Sequence, residues 1–193
     1  GGICGYLGAG TISNCTVSGE INAHEACVAK VDKGISFAGG IVGESSNGSI
    51  DICVKTADIT AIADAPTQSE NGSTHGSSSQ AGGIVAKTTG VISASYNTGK
   101  IVATTGINGI YSNAGGITAS SNNDISMCYN TGVVQALGNP NNNAGGIAAG
   151  FSKATISNCY NTGYIMADGN VAGIVGYLSS GTVANVYNVG EVS

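Results

Sequence analysis

Arginine and tryptophan are missing from this chain of 193 residues, proline occurs twice, and six lysines stand against eleven acidic side chains. A phosphate backbone is bound by clustered cations, so a net charge of −5 without arginine argues against a nucleic-acid partner. Charged residues make up 9% of the chain, well under half of the ~25% of an average globular domain. Long apolar runs are absent too. None approaches the ~18 residues of a membrane helix, which argues against membrane insertion within this segment, and no signal peptide is visible. No window holds a 3.6-residue apolar period free of glycine, so helix is disfavoured.

What the chain has instead is 32 glycines and 41% hydrophobic residues, many of them β-branched. The glycines follow no Gly-X-Y period, which excludes collagen. Disordered chains combine high charge with few aliphatics, so this composition predicts a buried core. Eight of the eleven acidic residues lie in the first 70 positions and read as a solvated face. The chain opens with GGICGYLG and closes with YNVGEVS, both in mid-pattern, and so reads as an excerpt of a longer protein that continues at both ends.

The pattern is an internal repeat. ISASYNTG (Ile92 to Gly99), ISMCYNTG (Ile125 to Gly132) and ISNCYNTG (Ile156 to Gly163) are near-copies. A GGI or AGI signature ends at Ile3, Ile41, Ile84, Ile117, Ile147 and Ile174. Eleven or twelve residues later stand Cys15, Cys53, Ser95, Cys128, Cys159 and Val186, and six further on stand Ile21, Ile59, Ile101, Val134, Ile165 and Val192. Two more residues bring Ala23, Ala61, Ala103, Ala136 and Ala167.

Residues two apart share one face of a strand. Ile156 and Cys159 are three apart, so both point inward only if the chain bends at the intervening SN, where Asn tolerates left-handed backbone. The fold class predicted is all-β: a parallel β-solenoid of about six coils with three short strands per coil. Residues 1–193 form a single repeat array, its coils starting near residues 1, 39, 82, 115, 145 and 172. At ~4.8 Å per coil, six coils make a rod about 29 Å long. Stacking predicts an amide ladder (Asn97, Asn130, Asn161, Asn188), a tyrosine column (Tyr96, Tyr129, Tyr160, Tyr187) and a glycine corner at Gly163 with suspected positive φ. The tyrosines read as structural stacking, with a sugar-binding strip as the alternative.

Spacing between copies shrinks while the core offsets hold, so length varies at one place. The inserts run from His24 to Ala38, Ile62 to Ala81, Thr104 to Ala114, Leu137 to Ala144 and Asp168 to Val171. All are expected on one edge of the rod, where solenoids commonly build binding surfaces.

AGGIVAKTTGVISASYNTGKIVA (Ala81 to Ala103) and AGIVGYLSSGTVANVYNVGEV (Ala172 to Val192) resemble the GLUG motif. The resemblance extends over all six coils, strongest in coils three to six, and leaves the inserts aside. In coil two DICVKTADI (Asp51 to Ile59) replaces the motif's Tyr and Gly by Val and Ala. It implies an extracellular stalk or interaction module of a large bacterial surface protein such as an adhesin, and it brings no catalytic residue.

Six cysteines include no C-x2-C pair, which removes the strongest metal signature. Cys15, Cys53, Cys128 and Cys159 read as a buried column of free thiols, and Cys4 and Cys27 lie off it. HEACV (His24 to Val28) has Val28 where the zinc-protease motif needs its second histidine. His75 reads as a solvated loop residue. Glu20 and Asp58 would stack about 5 Å apart, near a retaining-glycosidase separation, but Lys100 continues the column and favours an exposed charge ladder. Lyases commonly need an Arg or Lys base beside a cation, and the chain has no Arg. The SNND loop (Ser121 to Asp124) is too nonspecific a cation site, and the Thr98, Thr131, Thr162 column too narrow for an ice-binding face. No residue is therefore assigned as catalytic, cofactor-binding, metal-ligating or ligand-binding.

The expectation is a non-catalytic extracellular module on a bacterial cell surface, in a cell-adhesion setting, acting as stalk or as binding surface for a host glycan or extracellular protein. The alternative is an accessory, non-catalytic segment of a secreted peptidase or glycoside hydrolase.

Overall fold

A computed structural model describes residues 1–26, 34–64, 76–106, 109–138 and 140–193. These residues form five parallel sheets, each built from one short strand per coil. The first sheet runs from Cys4–Leu7 to Val175–Leu178, the second from Thr11–Ser13 to Gly181–Ala184, and the third from Thr16–Val17 to Tyr187–Asn188, six strands in each. The fourth runs from Glu20–Ala26 to Ile165–Ala167 and the fifth from Ile35–Gly39 to Asn170–Ala172, five strands in each. Pairing is in register, as Ile50, Ile92, Ile125 and Ile156 illustrate. The chain is a parallel β-solenoid of about six coils.

Each full coil contains five strands where three were expected, for two physical reasons. A left-handed residue cuts the ISNCYN segment into two strands. The last residues of each insert form a strand of their own, so Ala38, Ala81, Ala114 and Ala144 belong to the fifth sheet.

Two cores result. The first three sheets enclose isoleucine ladders (Ile41, Ile84, Ile117, Ile147 and Ile50, Ile92, Ile125, Ile156) with Cys53, Cys128 and Cys159 beside them. The fourth and fifth sheets pack face to face on a thinner core, in which Ala61, Ala103 and Ala136 meet Ala38, Ala81, Ala114 and Ala144. The alanines keep this wing thin, while each isoleucine contributes about 1.5–3 kcal/mol by burial.

The bend lies where the sequence places it. Asn14, Ile52, Ala94, Met127, Asn158 and Asn185 have φ between 44 and 55°, each immediately before the Cys, Ser or Val of the inward column. Left-handed backbone is cheap for Asn and strained for a β-branched side chain. Ile52 is 53% exposed, so little packing offsets its strain. Ile52→Asn is expected to stabilise the chain by about 1 kcal/mol, read as a higher denaturation midpoint.

The amide ladder is completely buried at Asn97, Asn130 and Asn161. Asn97 Nδ2 donates to Asn130 Oδ1 (2.6 Å), Asn130 to Asn161 (2.7 Å) and Asn161 to Asn188 (2.7 Å). Each Nδ2 also donates to the carbonyl two residues on, in Gly99, Gly132, Gly163 or Gly190. The backbone N–H groups of Gly99, Gly132 and Gly163 return a bond to the Oδ1 of the same coil. At Asn130 both donors and both lone pairs are used. The GG corner is fitted to this ladder: a β-carbon on Gly116 would stand 2.6 Å from Asn130 Cβ and Cγ.

Gly163 is needed for a different reason than positive φ. Its φ lies outside the left-handed region, which among the described glycines holds Gly10, Gly19, Gly138 and Gly181. A β-carbon there would run into the carbonyl oxygen of Gly132 in the preceding coil and lie 2.9 Å from Asn130 Nδ2. Gly163→Val is expected to cost about 3 kcal/mol or more, because backbone and ladder must both move. Exposed Ser179→Val should stay within ~0.5 kcal/mol. Equal melting temperatures for the two variants would contradict the close-approach account.

Candidate binding surface

The inward thiol column forms as expected and its cysteines are free. Cys53, Cys128 and Cys159 are buried, whereas Cys15, in the first coil, is half-buried. The thiols are used by the fold: Cys128 Sγ donates to Ser126 O (3.2 Å), and Cys159 Sγ accepts the backbone N–H of Cys128 (3.4 Å). Burial pushes the Cys53 thiol up, and the contact with Cys159, together with burial, pushes Cys128 up. Cys4 is half-buried, and Cys27 and His75 lie outside the described residues.

The tyrosine column stacks ring on ring, with centroids 4.5, 4.8 and 5.1 Å apart and planes within 7° of parallel. Rings so close cover one another's faces. A sugar stacks on a ring face, so the interior rings, Tyr129 and Tyr160, are a structural stack that offers edges.

On the outer face of the fourth sheet Glu20 pairs in register with Asp58, and Asp58 Oδ1 accepts the backbone N–H of Lys100 (2.8 Å). These residues line a shallow groove of about 190 Å³ with Asn22, Thr60 and Val102. The carboxylate of Asp58 is thus tied to the next coil. His24 and Glu25 stand on the strand Glu20–Ala26, not on the helix that the H-E-x-x-H arrangement needs. His24 Nε2 meets Asp64 Oδ2 at 2.8 Å, with both side chains more than half exposed, where such a pair adds little stability. In the SNND loop Asp124 Oδ1 accepts the backbone N–H of Thr155 (2.8 Å). Among the described residues no group of three His, Cys, Asp or Glu could hold a metal ion, and no helix is long and apolar enough to cross a membrane.

Inserts leave one edge, between the fourth and fifth sheets, in each of the five coils that carry both. Their stems are strands: His24, Glu25 and Ala26 pair with Ile62, Ala63 and Asp64, and Thr104 and Thr105 with Ile62 and Ala63. Ser36 Oγ donates to Ala23 O (2.8 Å) and Ser77 Oγ to Ala63 O (3.0 Å), closing the tip of the wing with hydroxyls.

The strands of the later coils stack in register on those of the first coil, and the family model of the GLUG motif matches residues 1–22. The chain carries the GLUG motif. The match spans the first coil from the GGI signature to the start of the fourth sheet, and the later coils join the motif by register: Ile12 pairs with Ile50 and Ile21 with Ile59. The later coils, with the fuller YNTG ending, had shown the stronger resemblance. No curated protein and no solved structure matches the chain. In coil two the GLUG asparagine position is held by Lys55, in register with Asn97.

Lys55 is a feature that the sequence reading missed. Among the described residues it is the largest completely buried side chain, and its Nζ donates to Lys100 O at 3.4 Å. Burial lowers its pKa from the ordinary 10.5 to about 7, partly opposed by the carboxylate of Asp58. The unfolded chain therefore binds more protons between pH 7 and 10.5, and stability rises with pH across that window. Between pH 7 and 8.5 Lys55 should add roughly 1–2 kcal/mol to the unfolding free energy, offset in part by the raised Cys53 and Cys128 thiols, which lose protons first in the unfolded chain. Lys55→Asn should flatten this slope in urea titrations at both pH values. An unchanged slope in that variant would remove Lys55 as its source.

Proposed function

We propose that this chain is a non-catalytic repeat module of a bacterial cell-surface, adhesin-like protein, serving as a stalk that displays a binding edge for a host protein or glycan. The observation that supports this reading is the division of labour between ladder and insert. Amides, thiols, tyrosines and isoleucines are committed to the neighbouring coil, so a change in any of them disturbs two interfaces. Length and composition vary at the edge between the fourth and fifth sheets, where specificity can change without cost to stacking. The longest inserts follow one another in the first two coils and carry the exposed His24 and Asp64.

The test trims that edge without touching the alanine core. In the last insert Ala167 reaches Val171, the counterpart of Ala144, through Asp168, Gly169 and Asn170. Residues 24–36 and 62–79 can therefore each be replaced by Asp-Gly, leaving Phe37, Ala38, Gln80 and Ala81 in register. The intact and trimmed rods are then screened on extracellular-matrix and cell-surface glycan arrays. The expected outcome is a ligand whose binding falls at least about tenfold on trimming. A full set of ligands bound equally by both rods would remove the edge as the binding surface.

A further inference from the structure

Between the fifth and first sheets runs a furrow whose filling changes along the rod. The outward residues of the fifth sheet are Phe37, Gln80, Asn113, Asn143 and Asn170. Those of the first sheet are Tyr6, Glu44, Lys87, Ser120, Gly150 and Tyr177. In the early coils long side chains close the furrow: Lys87 Nζ lies 5.6 Å from the centroid of the Phe37 ring and 3.0 Å from Glu44 Oε1. In the later coils Ser120 and Gly150 stand at the position of Lys87, and the furrow opens into a groove of about 220 Å³. Its walls include Asn113 and Asn143 on one side and Tyr177 on the other, and no carboxylate, amine or imidazole lines it.

We propose that this groove binds an uncharged saccharide, with a sugar ring stacked on Tyr177 and its hydroxyls held by the amide wall. Tyr177 is 55% exposed. Its neighbour in register is Gly150, so no side chain stacks on the ring from that coil, in contrast to Tyr129 and Tyr160, whose rings are stacked on both sides. A sugar ring carries an apolar C–H face that packs on an aromatic ring, and adjacent hydroxyls that both donate and accept. Asn143 offers both functions: Nδ2 donates to Asn113 Oδ1 (2.9 Å) and Oδ1 accepts from Asn170 (2.9 Å), which leaves one N–H and one lone pair for a ligand. The ladder fixes the amide before the ligand arrives, so little side-chain freedom is lost on binding. The neutral lining excludes charged glycans, because a carboxylate or sulfate would be desolvated there without a cation. This site lies away from the insert edge and stands whether or not that edge binds anything.

The groove also dictates its own blocking variant. A β-carbon on Gly150 would find only Ala119 O, at 3.7 Å, so Gly150→Gln fills the groove while leaving the strand unstrained. The ¹⁵N-labelled chain is titrated with neutral gluco-, galacto-, manno- and N-acetylglucosamine oligosaccharides to ~10 mM, a range that captures millimolar dissociation constants. Sialylated and sulfated oligosaccharides serve as charged controls. The expected result is shifts at Gly150, Tyr177 and the Asn143 side chain with at least one neutral series. Binding should weaken at least about tenfold in both Tyr177→Ala and Gly150→Gln, with melting temperatures near that of the parent, and persist in the edge-trimmed rod. The proposal is overturned if no neutral saccharide shifts these resonances, if affinity survives both substitutions, or if the charged controls bind better. Loss of binding on edge trimming with an unperturbed groove would place the site at the inserts and leave the proposed surface role intact.

Discussion

A buried carboxamide ladder sets the terms for the rest of this solenoid. Asn97, Asn130 and Asn161 hold both amide protons in bonds, one to the corner glycine of their own coil and one to the asparagine of the next. A primary amide removed from water without partners costs several kcal/mol, so the ladder forms only where successive coils keep one spacing and one orientation. From Asn97 onward that condition holds the coils in one register. It also explains the corner glycine of the last four coils, since on Gly83, Gly116, Gly146 and Gly173 a β-carbon would overlap the side chain of Asn97, Asn130, Asn161 and Asn188. Two motifs about fourteen residues apart are thus one contact.

Regular stacking then lets strain accumulate in a column. The left-handed residue before the thiol position occurs in six coils, as asparagine in three and as Ile52, Ala94 and Met127 in the others. A misfit at that point is tolerated because the isoleucine on one side and the Cys or Ser on the other are already buried. Lys55 is a second misfit of this kind. Its aliphatic stem occupies the column position where asparagine would bond to its neighbours, and its amine reaches across to Lys100 O. The ladder thus begins at Asn97, and the first two coils hold their register through strand pairing and apolar contacts.

Much of the fold was legible because stacking writes itself into the sequence as repetition. The six coils, the isoleucine ladders, the thiol column and the left-handed bend could be read from offsets between copies. The fifth sheet could not, because its strands end inserts of unequal length, and residues such as Ser79 and Ser112 resemble loop residues until their pairing is known. The corner glycine was placed correctly with the wrong cause: Gly19 has positive φ whereas Gly163 faces a carbonyl of the coil below. That distinction depends on contact between coils, which offsets along one chain do not contain. Lys55 escaped notice because a lysine ordinarily reads as surface.

The groove beside Tyr177 was illegible for a related reason. Its decisive residues are small ones, Ser120 and Gly150, at a position where earlier coils place Lys87 and Glu44, and a small residue draws attention in a sequence only when it forms part of a motif. In a solenoid, however, an outward position is free to vary in size at constant register, because only the inward and corner positions touch the next coil's core. Shortening an outward column from lysine to glycine opens space without creating a cavity in the core. A recessed surface can therefore be made here by losing side chains as readily as by inserting loops, and the two routes leave different faces of the same rod available for binding.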